Sequence, residues 1–158
     1  MNDGRYFISP KGTTQPRTPE SLDAAPGSSA TKAHRGGGAA WLGTIVLDSA
    51  AFDLVEIMQG KHHRIYDRAF GKDRAFWSEA SPYHRLTTAP ARMLVVCSTR
   101  RDEACPQAQP FASKAVKLGG RVVVLPVDMK HGEINKKLGL PSDYTTTVES
   151  FMRSLGLP

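Results

Sequence analysis

The chain has little that would tie it to a membrane, a metal or a disulfide framework. None of its apolar runs approaches the roughly 20 residues needed to cross a bilayer, and the opening MNDGRYFISPKGTTQPR has no apolar stretch of the secretory kind. Only two cysteines occur among 158 residues, Cys97 and Cys105. They form no C-x-x-C, so zinc is not expected. One falls in an apolar run and the other in a polar one, which reads as two reduced thiols in a cytoplasmic protein. Basic runs interleaved with aromatics are also missing. The net charge of +6 is spread over Lys61, Arg64, Arg68, Lys72, Arg74, Arg100-Arg101 and Lys136-Lys137. Scattered charge of this kind reads as solvated surface, and no nucleic-acid partner is expected.

The composition is otherwise that of an ordinary globular protein, with 40% hydrophobic and 23% charged residues, and the length suits one domain. Residues 1–40 stand apart. They are dense in Gly, Pro, Ser and Thr, as in PKGTTQPRTPE, APGSSAT and HRGGGAA, and hold few strong hydrophobes. A segment that buries so little apolar surface does not offset its ordering entropy, so a disordered or poorly packed segment is expected there.

From Trp41 onward the pattern is that of an α/β protein. Leu42–Leu47, Met93–Cys97 and Arg121–Val127 are short β-branched apolar runs, hence buried strands. Helical spacing covers Ser49–Gln59, Lys61–Phe70 and Asp73–Glu79, and Ser81-Pro82 then starts a loop. Pro106–Leu118 is a further helix, with Pro in its first turn and Gly119-Gly120 beyond its end. A last helix is capped by Ser142 or Asp143. Its buried face holds Tyr144, Val148, Phe151, Met152 and Leu155, and Gly156 terminates it. Strands alternating with helices imply a parallel sheet with helices on both faces.

Two polar loops follow strands. Ser98–Pro106 carries Asp102. About thirty residues later the run ending at Val127 leads to His131. The order of these residues, with Trp41-Leu-Gly-Thr-Ile-Val-Leu-Asp-Ser-Ala-Ala-Phe-Asp53, Phe76-Trp77, Ala80-Ser81-Pro82, Asp102-Glu-Ala-Cys-Pro-Gln-Ala108 and His131-Gly-Glu-Ile-Asn135, resembles the C-terminal half of an alpha/beta-hydrolase of the small bacterial esterase/lipase-like kind. The resemblance covers roughly residues 41–156 and leaves residues 1–40 outside it. It implies a serine nucleophile, a histidine base and an orienting acid. Carried over, His131 is the base and Asp102 the acid.

The resemblance further implies hydrolysis of a small-molecule carboxylic ester without a cofactor. Amide hydrolysis of the arylformamidase-like kind is the alternative, and a non-catalytic remnant acting by protein association is another. The chain has no G-x-S-x-G, and Gly27-Ser-Ser-Ala30 lacks the second glycine. The expectation is therefore a truncated domain over 41–158. Such a domain would lack its nucleophile elbow, and its first strand would form an exposed edge that self-associates or pairs with a missing N-terminal half. Asp48 and Asp53 read as capping or loop acids. His62-His63 reads as a solvated face. Phe76 and Trp77 read as packing residues.

Overall fold

The computed structural model describes residues 41–158. The expectation of disorder over residues 1–40 lies outside the described residues. Three parallel strands form one sheet in the order β1-β2-β3: β1 Thr44–Leu47, β2 Met93–Ser98 and β3 Val122–Val127. Thr44 stands beside Met93, and Met93 beside Val122. The alternation of side chains across the sheet then sorts the core into two halves.

On one face Val46, Val95 and Cys97 pack against helix α5, Ala104–Lys117, through Ala104, Ala108 and Phe111. On the other, Leu47, Leu94, Val96 and Val127 pack against Ile134 of α6, His131–Lys137, and against Tyr144 and Val148 of α7, Asp143–Ser154. The architecture is thus α/β with helices on both faces. β2 is covered on both sides, and its Leu94, Val95, Val96 and Cys97 are at most 2% exposed. Burial of each such aliphatic side chain stabilises by roughly 1.5–3 kcal/mol.

The segment between β1 and β2 forms four short helices: α1 Leu54–Gln59, α2 Arg64–Phe70, α3 Arg74–Ala80 and α4 Pro82–Arg85. Each start follows local chemistry. The Asp53 carboxylate accepts from the N–H groups of Val55 and Glu56, and that of Asp73 accepts from Ala75 N–H. α1 therefore begins at Leu54, later than the helix expected from Ser49. Exposed His63 caps α2, while His62, expected on the same solvated face, is largely covered and meets Asp67. Ser81 joins the group to the domain. Its hydroxyl accepts from Leu54 N–H and donates to Trp77 O. Trp77 is buried as expected, whereas Phe76 is exposed. Pro82, expected to open a loop, instead starts the helical turn α4, because a fixed φ suits a first helical position.

Two further expectations need correction. Cys97 and Cys105 are not free thiols. α5 packs back against the end of β2, bringing their Cα atoms to 5.2 Å, and a disulfide joins them. The chain after β3 is also not simply a loop. α6 begins at His131, where the Glu133 carboxylate folds back to accept the Lys130 N–H. That contact, with Lys137 nearby, holds the Glu133 carboxyl down at about 2. Among the described residues no helix is long and apolar enough to cross a membrane.

Candidate functional site

The polar residues that meet in the interior lie at the C-terminal ends of the strands, where a parallel sheet opens its crevice to ligands. Asp48 follows β1. Ser98 ends β2, and Arg101 lies in the turn after it. His131 follows β3 as the first residue of α6. Asp48 has a fully buried side chain and a left-handed backbone, φ 59°. Aspartate tolerates that conformation better than most residues. Its carboxylate is fully partnered. One oxygen accepts the Ser98 N–H at 2.7 Å. The other accepts from Arg101 Nη1 at 3.0 Å and from His131 Nδ1 at 2.9 Å.

The proton on His131 follows from these contacts. A carboxylate only accepts, so Nδ1 carries hydrogen toward Asp48. Arg101 Nη1 also lies 3.3 Å from Nδ1. A guanidinium only donates, so that contact needs the opposite tautomer. The shorter bond to the buried carboxylate decides between them, so that in the neutral ring the lone pair lies on Nε2. The imidazole is about half exposed.

Arg101 is itself pinned. It donates to the Asp48 backbone oxygen and carboxylate and to Glu103 Oε1. Burial works against its charge, but the hydrogen bonds to Asp48 and Glu103 more than offset this, and its pKa lies above the ordinary arginine value. One residue earlier, Arg100 grips Asp128 at 2.7 Å. Asp128 is held below the usual carboxylate range by that hydrogen bond. The disulfide closes the Ser98–Ala104 loop from below, so both arginines extend from a tethered turn.

The site differs from the sequence expectation in its acid. Asp102 lies exposed in the turn before α5, and among the described residues no hydrogen bond joins it to His131. Asp48, taken as a capping or loop acid, is the carboxylate that His131 meets. The signal available was its position directly after a strand. What hid it was that its partners are 50, 53 and 83 residues away. Among the described residues no serine hydroxyl or cysteine thiol hydrogen-bonds His131. No group of three or more His, Cys, Asp and Glu could hold a metal ion there either. The arrangement can accept and return a proton at Nε2 while a buried carboxylate fixes the ring.

Compared with known proteins, the chain matches no family model, no curated protein and no solved structure.

Proposed function

We propose that this chain carries the histidine and acid of an alpha/beta-hydrolase-like site and serves hydrolysis of a small carboxylic ester. The observation that supports this reading is the 2.9 Å bond from His131 Nδ1 to the buried Asp48 carboxylate. In the proposed step, Nε2 takes the proton of an attacking hydroxyl as its oxygen bonds to the acyl carbon. The proton then passes to the leaving alkoxide. Asp48 keeps the ring in the reactive tautomer and stabilises the imidazolium that forms. The attacking hydroxyl is assigned to a serine outside the described dyad or to water.

The test is hydrolysis of p-nitrophenyl acyl esters by the full chain, beside His131→Ala, Asp48→Asn and Asp102→Asn. A fluorophosphonate probe is read in parallel by peptide mass spectrometry. Asp48→Asn and His131→Ala should lower the rate on the order of 10²–10⁴-fold, with Asp102→Asn near wild type. A labelled serine names the nucleophile; hydrolysis without labelling assigns it to water. An inactive wild type, or a rate that His131→Ala leaves intact, overturns the reading. Loss in Asp102→Asn with retention in Asp48→Asn would return the acid's role to Asp102.

A further inference from the structure

The sheet has two outer edges, and they are finished differently. In a parallel ladder alternate residues turn both backbone groups to the same side. Thr44 N–H and Asp48 N–H donate to β2, at Arg92 O and Val96 O. Ile45 and Leu47, and Gly43 before them, therefore turn theirs outward. Among the described residues no strand pairs with this edge. On β3 the same parity turns Val122, Val124 and Pro126 outward, since Met93 and Thr99 donate to Arg121 O and Val127 O. Pro126 has no N–H to offer, a common device against edge pairing. The outer positions of β1 carry neither Pro nor charge.

A groove of about 700 Å³ runs along the same edge. Ile45 and Leu47 form its floor, Leu138, Val148 and Met152 its wall, and Glu149 and Arg153 its rim.

We propose that this edge is an association surface for a second copy of the chain, with β1 pairing antiparallel to its counterpart about a two-fold axis at Ile45. The outward set is self-complementary. Ile45 would exchange both of its backbone bonds with Ile45 of the other copy, and Gly43 would do so with Leu47. The rim charges fit the same axis. A Cβ at Gly43 would lie 2.7 Å from Leu155 Cδ1, so the C-terminal end of α7 sits over the start of β1. Two residues along a strand cover about 6.6 Å, or roughly four residues of helix. The level of Ile45 therefore falls near residue 151, with Glu149 and Arg153 to either side. A two-fold axis there sets each Glu149 toward the other copy's Arg153. Both side chains are half-exposed and near enough to pair within one copy at 3.7 Å. A rim of balanced charge selects neither an acidic nor a basic partner. The shortness of β1 suits one matching strand.

The experiment is sedimentation velocity of the full chain over a concentration series, with folding of each variant checked by circular dichroism. Wild type should pass from monomer to dimer. Ile45→Pro removes an outward N–H, and with it part of the Ile45 packing on the core, and should shift the transition to at least tenfold higher concentration. Arg153→Glu and Glu149→Arg each place like charges across the axis and should remain monomeric alone. Mixed in equal amounts they should form the heterodimer, and this exposed pair decides the matter even if Ile45→Pro fails to fold. A wild type monomeric at its highest soluble concentration overturns the proposal, because the edge is then covered by another segment or kept for a different partner. Dimers that ignore all three substitutions overturn it too.

Discussion

β1 and β3 border the same sheet and meet opposite demands. β1 is short and covered on both faces, and among the described residues no strand pairs with its outer backbone. Its Val46 and Leu47 are buried, and it ends in the buried Asp48. β3 is longer, leaves Val123 56% exposed, and closes its outer backbone with Pro126. Pro126 removes hydrogen-bonding capacity from the β3 edge, whereas the β1 edge keeps the outward groups of Gly43, Ile45 and Leu47. The chemistry follows the same division. The strand that buries its faces also supplies the buried carboxylate, while the strand in contact with solvent leads to the exposed imidazole.

Substitutions can break this contrast. The largest effect is expected at Asp48. Asp48→Ala leaves Ser98 N–H and Arg101 without their buried acceptor and puts alanine at a positive φ. It should cost about 3–5 kcal/mol in urea unfolding. Asp48→Asn should cost less, since asparagine tolerates the left-handed region. Asp102→Ala, in the exposed turn, should stay within about 0.5 kcal/mol. Leu47→Ala on β1 should cost about 2–4 kcal/mol, against less than about 0.5 kcal/mol for Val123→Ala on β3. Equal losses at Leu47 and Val123 would contradict the unequal covering of the two strands.

Much of this fold is legible from residue order. Three β-branched runs, the caps at Asp53, Asp73 and Ser142, and the α5 pattern before Gly119-Gly120 are local signals, and local chemistry forms them. α6 was less legible. Its seven residues include Gly132, and Ile134 and Leu138 alone mark the buried side. The contact between Asp48 and His131 was not legible, because an aspartate after a strand reads the same whether it caps a turn or faces a histidine 83 residues away.

A smaller effect tests the tether at the site. The disulfide closes a short loop, and its loss should cost about 2–3 kcal/mol by the loop-entropy argument. Cys105→Ser should show that loss in thermal unfolding, and alkylation before and after reduction should change the mass by two thiols. Two thiols alkylated without reduction would remove the tether.

The edges themselves can be exchanged. Pro126→Val returns an outward N–H to β3. It should change monomer stability little and add higher-order association above that of wild type in sedimentation. Association equal to wild type would mean that Pro126 does not guard that edge.

The smallest effect is at the start of α6. Glu133 is held at about 2, below its ordinary 4.5, first by the Lys130 N–H and then by Lys137. A depressed carboxyl contributes stability that is present above about 4.5 and lost as pH falls through about 2. Acid titration of wild type and Glu133→Gln should therefore converge at the low end of that window and separate above it. Parallel curves would show that the contact contributes nothing.

The sequence by itself determined the α/β class, the three strand cores, the starts of α3 and α7, and the placing of Asp102 and His131 after the second and third strands. These follow from side-chain periodicity and from capping groups that act within a few residues. Only the tertiary structure decided that Asp48 rather than Asp102 meets His131, that Cys97 and Cys105 are joined, and that proline closes one edge of the sheet while no described strand pairs with the other. Each depends on which strands are neighbours and in what register. That choice is set by burying two apolar faces at once, so it is made by the whole sheet rather than by any short run of residues.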